Sequence, residues 1–181
     1  GGMTSPVTGE PTHLVYGFTG TLLNMIRTHQ PTKLVVVIDA AGDTETFRTK
    51  LYPEYKANRE EMPEDLAAAL PSIKRLCKAF RIPILELDGY EADDIIGTLA
   101  SQAEKEGRFE TFMVTPDKDF GQLVSEHCVM WKPGRKGKER EIIDLPALKE
   151  LWQIEHPDQV IDILGLMGDA SDNIPGVPGV G

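Results

Sequence analysis

Eight acidic residues stand in four short clusters of this 181-residue chain, most of them directly after a run of apolar residues. Asp39 follows Leu34-Val35-Val36-Val37-Ile38. Glu91, Asp93 and Asp94 share one segment, Asp117 and Asp119 follow Val114-Thr115-Pro116, and Asp169 and Asp172 lie in Gly168-Asp169-Ala170-Ser171-Asp172-Asn173. Apolar runs of this length read as buried strands, and in an open α/β sheet the ligand crevice lies at the strands' carboxyl ends. The clusters are therefore expected to converge. Carboxylates packed together repel one another unless cations neutralise them, and oxygen donors without His or Cys suit Mg²⁺ or Mn²⁺ rather than zinc. Two such ions about 4 Å apart hold a phosphodiester, activate a water and stabilise the leaving oxygen.

The length allows one domain with a substantial core, and 40% apolar residues is ordinary globular usage. No apolar run is long enough to span a membrane, which excludes a membrane protein of the helical kind. Cys77 and Cys128 lie on apolar patterns and read as core thiols, which fits a reducing, cytoplasmic setting. The clustered acids account for most of the net charge of −10, and two divalent ions would offset half of their eight charges. Acidity therefore does not exclude nucleic acid, and basic residues are grouped as well: Lys50, Lys56 and Arg59, then Lys132, Arg135, Lys136, Lys138 and Arg140.

Periodicity predicts helices over 13–29, 64–80 (with Pro71 kinking or splitting it), 91–106, 118–124, 148–152 and 157–167, the last with Pro157 at its first position. Strands are expected at 34–38, 84–87, 111–114, 128–131 and 141–143, the last two joined by a basic turn. Residues 47–63 read as a short helix or a mobile loop. The alternation predicts an α/β fold: a mainly parallel central sheet with helices on both faces.

Each motif has a plainer explanation beside the functional one. Acids at Glu91–Asp94 suit a helix start, Asp117 and Asp119 suit a turn and cap, and Asp169–Asn173 suits an Asx-rich turn. Lys56 and Arg59, at i and i+3, form either a solvated helical face or a pair of cations for a phosphate, with Tyr55 available to stack on a base. Arg135, Lys136, Lys138 and Arg140 either solubilise a turn or contact a duplex backbone. The glycines of Ile174-Pro175-Gly176-Val177-Pro178-Gly179-Val180-Gly181 make either a surface loop or a backbone cradle for a phosphate. The histidines have no ligand spacing.

Phe47-Arg48 with Tyr55-Lys56-Ala57-Asn58-Arg59, Asp88-Gly89-Tyr90-Glu91-Ala92-Asp93-Asp94, Thr115-Pro116-Asp117-Lys118-Asp119 and Gly168-Asp169-Ala170-Ser171-Asp172-Asn173-Ile174-Pro175-Gly176-Val177 together resemble the 5′-nuclease domain of bacterial DNA polymerase I, in the flap-endonuclease superfamily related to PIN domains. The resemblance covers about Met3 to Gly181. It implies a PIN-like catalytic core over residues 1–167 and the start of a helix–hairpin–helix DNA clamp over 168–181, in a chain read as a fragment lacking the family's first strand and its C-terminal part.

The resemblance implies a 5′→3′ exonuclease and 5′-flap endonuclease for replication primer removal and repair, followed by a polymerase region and acting on 5′ flaps and nicked or branched DNA. Asp39, Glu91 and Asp93 are expected to hold one Mg²⁺ or Mn²⁺. Asp117, Asp119, Asp169 and Asp172 are expected to hold a second, with Asp94 binding a metal-bound water or bridging. Lys56 and Arg59 are the expected catalytic cations. Arg48 and Tyr55 join them in contacting DNA, and Gly176 and Gly179 offer N–H groups to the duplex, around a K⁺ ion as in relatives. The alternatives are a PIN-like ribonuclease and a non-catalytic module that binds branched DNA. The fragment itself is expected to be catalytically impaired.

Overall fold

The structure is a computed structural model that describes residues 3–7, 9, 11–40, 45–59, 62–134 and 141–180. The chain divides into two compact units, one formed by residues 1–38 and 60–86 and the other by 39–59 and 87–181.

The first unit holds helix α1 (His13–His29), strand β1 (Val36–Val37), helix α3 (Glu64–Ala79) and strand β2 (Ile84–Leu85). Leu22 of α1 and Ala69, Ile73 and Cys77 of α3 are buried together with Ile82, and Phe18, Met25 and Ile26 pack against them. The apolar stripe read from the sequence is thus the face that packs. Pro71 lies inside α3, which nevertheless runs unbroken from 64 to 79. The lost backbone hydrogen bond, worth roughly 3 kcal/mol with the ring clash, is offset by the buried stripe on either side of it. β1 and β2 pair in parallel, Val36 with Ile84 and Val37 with Leu85.

The second unit holds helix α2 (Phe47–Leu51), helix α4 (Ala92–Glu106), strand β3 (Thr111–Val114), a 3₁₀ turn (Lys118–Leu123), strands β4 (Cys128–Lys132) and β5 (Glu141–Ile143), helices α5 (Leu145–Trp152) and α6 (Gln159–Met167), and a second 3₁₀ turn (Ala170–Asp172). β3 and β4 are parallel, β4 and β5 antiparallel with Met130 opposite Ile143. Met113, Met130, Cys128, Phe120, Leu148 and Val160 form its core. α4 ends at Gly107, whose φ of 65° lets its N–H reach back to Ala103 and Glu104.

The α/β architecture is as expected, with two corrections. Among the described residues the strands form a two-stranded and a three-stranded sheet rather than one hydrogen-bonded central sheet. The β1–β2 ladder is only two residues long, because Pro83 offers no N–H before it and the turn at Asp88-Gly89 follows. β3 is also only half buried, with Met113 buried and Phe112 and Val114 exposed, the alternation of a strand with one covered face, whereas β4 buries Cys128, Met130 and Trp131. Pro157 lies ahead of α6 rather than at its first position, and Asp158 is the N-cap. The turn carrying Arg135, Lys136, Lys138 and Arg140 lies outside the described residues. Cys77 and Cys128 are free and buried, and burial raises both thiols, Cys128 to about 11. No helix among the described residues is long and apolar enough to cross a membrane.

Candidate active site

All four acidic clusters lie in the second unit. α4 begins where three of the acids meet. Glu91 is its N-cap and forms a capping box with Asp94, whose carboxylate accepts the Glu91 N–H at 3.0 Å. Asp39 reaches the same helix start and accepts the Ala92 N–H at 2.6 Å. Free N–H groups and the helix dipole both favour carboxylates here. Asp117 caps the first 3₁₀ turn by accepting the Asp119 N–H at 3.0 Å, and Asp169 caps the second by accepting those of Ser171 and Asp172 at 2.8 and 3.3 Å. The plainer explanation of each cluster therefore holds. It does not compete with the functional one, because a carboxylate has two oxygens and a cap that fixes one aims the other.

The clusters lie in one another's fields. Burial pushes Asp93 up to about 6, with Asp117, Asp39 and Glu91 acting in the same direction against Lys56. Asp119 is raised by burial and then by Asp117, with Asp169 and Asp172 adding to it. Asp117 thus presses on acids of both groups.

Four cations pair with these carboxylates. Lys56 Nζ lies 2.7 Å from Glu91 Oε2 and 3.8 Å from Asp172 Oδ2, and Arg59 donates to Asp172 Oδ1 at 3.0 Å. Lys118, between the two acids of its own motif, reaches Asp169 Oδ2 at 3.0 Å. Burial raises Asp169, but Lys118 and the Ser171 N–H outweigh it and leave the carboxyl below its usual range. Arg48 forks onto Asp94 with two hydrogen bonds of 2.8 Å, which holds the Asp94 carboxyl down and the guanidinium firmly charged. Tyr55 is 8% exposed, and its hydroxyl lies 3.1 Å from Glu91 Oε2 and 3.0 Å from Asp172 Oδ2. Burial and these two carboxylates push its phenol far up.

The segment that carries these cations is fixed from below. The Lys56 N–H donates to the Asp172 carbonyl at 3.0 Å, Asn58 Nδ2 to the Ala170 carbonyl at 2.8 Å, and Asn173 Nδ2 to the Glu54 carbonyl at 2.8 Å. Lys56 itself has a φ of 57°, a left-handed conformation that a side chain adopts at a cost.

Several expectations change here. Lys56 and Arg59 are neighbours on Asp172, but in a series of turns rather than on a helix. Tyr55 is not open for stacking, because its ring is buried. Arg48 and Asp94 are committed to each other. Gly176 has a packing reason of its own: a Cβ there would run into the Met167 carbonyl, and one on Gly168 into the Gly176 backbone. Gly179 lies in an exposed turn with a φ of 85°. Lys118 is the residue that sequence reasoning passed over, although a lysine between two clustered acids was a visible signal.

Among the described residues no three His, Cys, Asp or Glu side chains are drawn up as a finished metal site, and Glu91, Asp172 and Asp169 are paired with Lys56, Arg59 and Lys118. The donor set nevertheless suits a hard divalent ion. It is all oxygen, its like charges raise Asp93 and Asp119, and Asp119 Oδ1 is buried with no hydrogen-bond partner among the described residues.

The sequence matches the 5′-3′ exonuclease N-terminal resolvase-like domain family over residues 2–153. It is 44% identical over 173 residues to DNA polymerase I of Bacillus caldotenax, covering 96% of this chain and 19% of that protein. It is 40% identical over 173 residues to a 5′-3′ exonuclease of Aquifex aeolicus, covering 96% of this chain and 57% of that protein. The chain therefore spans about a fifth of the polymerases it resembles and little more than half of the exonuclease. In fold it is similar to the T5 D15 protein co-crystallised with metal ions, with a TM-score of 0.76, 22% identity, and coverage of 93% of this chain and 63% of that one. The bacteriophage T5 D15 flap endonuclease in a complex with DNA and metal ions gives a TM-score of 0.74 at 22% identity and the same coverage. That likeness establishes the PIN-like 5′-nuclease fold. With its acidic motifs gathered in one unit and its sequence matched over most of its length, the chain belongs to the 5′-3′ exonuclease family and contains that family's N-terminal resolvase-like domain.

Proposed function

We propose that this chain is the divalent-metal-dependent 5′-nuclease portion of a DNA polymerase I, hydrolysing DNA phosphodiesters at 5′ ends and 5′ flaps. What supports this reading is that Asp93 lies in the fields of Asp117, Asp39 and Glu91, and Asp119 in those of Asp117, Asp169 and Asp172, with Lys56 and Arg59 paired to Glu91 and Asp172. Glu91, Asp93 and Asp39 form one ligand group, and Asp117, Asp119, Asp169 and Asp172 the other. Bound Mg²⁺ or Mn²⁺ ions there would supply Lewis-acid activation of a water and stabilise the leaving oxygen.

Lys56 and Arg59 are held beside this site and turn from Glu91 and Asp172 to the non-bridging oxygens of the scissile phosphate, where negative charge grows in the transition state. Water oxygen bonds to phosphorus, the bond to the leaving nucleotide's oxygen breaks, and the proton ends on that oxygen. Tyr55 and the Asn58–Asn173 contacts hold the cation segment in place, and Arg48 holds Asp94. The segment from Gly168 to Val180 would start a helix–hairpin–helix clamp, where the backbones of Gly176 and Gly179 would meet duplex DNA and could take a K⁺ ion. The names of the relatives and the DNA-bound T5 flap endonuclease support the substrate class. A cytoplasmic location follows from such a role.

Incubation with an end-labelled 5′-flap duplex tests the reading. Slow cutting is expected with Mg²⁺ or Mn²⁺, in keeping with an impaired fragment, none with a chelator, and a further loss of at least a hundredfold in Asp117→Asn/Asp119→Asn at unchanged secondary structure. Cleavage of single-stranded RNA with indifference to flaps would establish the ribonuclease reading instead. Flap binding without cutting would establish a binding module.

A further inference from the structure

Two aromatic rings lie open beside the acidic site. Phe47 is 43% exposed and Tyr90 49% exposed, with ring centroids 6.1 Å apart and planes tilted by 51°. Rings left in water forgo the stabilisation that burial would give them. A packing role in the core is thereby excluded for this pair. Phe47 is held in place from behind. Tyr90 adjoins Glu91, the N-cap of α4, and Phe47 lies under the Arg48 guanidinium, 4.6 Å from the ring centroid, while that guanidinium is forked onto Asp94.

The pair is also close to the phosphate-binding cations. Arg48 Nη1, over Phe47, is 4.0 Å from Glu91 Oε2, and the same oxygen is 2.7 Å from Lys56 Nζ. A strand with a phosphate at Lys56 therefore has a base within a nucleotide or two of these rings. Cations for the backbone with flat rings for the bases are the chemistry by which proteins hold single-stranded nucleic acid. Tyr55, the ring nearest those cations in sequence, is buried against two carboxylates and leaves that role vacant.

We propose that Phe47 and Tyr90 form a stacking platform for an unpaired nucleobase of the strand whose phosphate Lys56 and Arg59 hold. The platform rests on the nuclease reading and names where that site takes a base. Since every base has a π-face, it tolerates any sequence while requiring that the base be unpaired.

Fluorescence anisotropy of the 181-residue chain with 5′-flap DNA in chelator, where nothing is cut, provides the test. Substrates carry either all their bases or one abasic nucleotide at each of the two positions on either side of the junction. Phe47→Ala and Tyr90→Ala are each expected to weaken binding of the intact flap about tenfold, while Tyr90→Phe binds as the parent does. On the substrate abasic at the platform position, parent and alanine variants should bind within twofold of one another. A merely structural effect would weaken intact and abasic substrates equally, and that result, or no loss at all, overturns the platform while leaving the nuclease reading intact. A parent chain that binds no flap DNA overturns the nuclease reading, and the platform with it.

Discussion

Asp93 shows what crowding acids around one helix start does to a single carboxyl. Its folded value of about 6 lies above the roughly 3.9 of an unfolded chain, so the folded protein holds the proton more tightly. Stability from this group is present below about pH 4 and is lost as pH rises through about 6. Asp93→Asn removes the penalty. In chelator the variant is expected to exceed the parent by about 1–2 kcal/mol at pH 7.5, after allowance for solvent screening of a partly exposed group, and to match it near pH 3.5. Urea denaturation at the two pH values measures this, and a pH-independent difference would refute the electrostatic account. Lys118 works in the opposite sense. Its ammonium lies 3.0 Å from Asp169 Oδ2, where it competes with any cation the carboxylate takes. Lys118→Met is expected to tighten Mn²⁺ binding roughly threefold to tenfold in calorimetry without DNA. Weaker binding would show instead that Lys118 positions Asp169 for the metal.

At the scale of elements, the end of α6 and the turn that follows it depend on two glycines. Gly168 has a φ of 73°, and the backbone of Gly176 packs against the Met167 carbonyl with no room for a methyl group. Gly176→Ala is therefore expected to destabilise the chain by roughly 2–4 kcal/mol. Gly165→Ala, in the same helix with open space at its Cβ position, should stabilise it by up to about 1 kcal/mol. Thermal unfolding of the pair checks this, and equal effects would contradict the close-packing argument. Elements of this kind were largely legible in the sequence: α1 spans the residues its apolar spacing predicts, and α4 begins and ends at its acidic cap and Gly107. Periodicity and caps are local, so one sequence suffices to read them. The pairing of Arg48 with Asp94, 46 residues apart, and the burial of Tyr55 against Glu91 and Asp172 were not legible, because nothing local decides which cation finds which acid. β3, β4 and β5 lie where their apolar runs predict, whereas β1 and β2 are shorter than 34–38 and 84–87, since an apolar run does not say how much of it finds a ladder partner.

For the whole molecule, the net charge of −10 and the gathering of the acidic clusters in one unit concentrate like charge in that unit. A divalent cation that binds only the folded chain stabilises it by RT ln(1 + [L]/Kd), about 2.7 kcal/mol at a hundred times Kd. For a chain of this size that corresponds to a rise of roughly 5–10 °C in melting temperature. Mn²⁺ or Mg²⁺ at millimolar concentration should produce such a rise, and sodium chloride matched for ionic strength should produce much less, because screening acts on exposed charges and only weakly on a partly buried cluster. Asp117→Asn with Asp169→Asn tests whether the site is the cause. Asp117 presses on acids of both ligand groups and Asp169 is the partner of Lys118, so the pair removes one charge from the junction and one from the second group. In chelator the double variant also loses the Asp169 pair with Lys118, so the readout is each chain's metal-induced shift from its own metal-free midpoint. With Mn²⁺ its shift should fall to a small fraction of the parent's. A double variant that responds to the metal as the parent does would show that divalent ions act elsewhere on this acidic chain, and that the convergence of its carboxylates has another purpose.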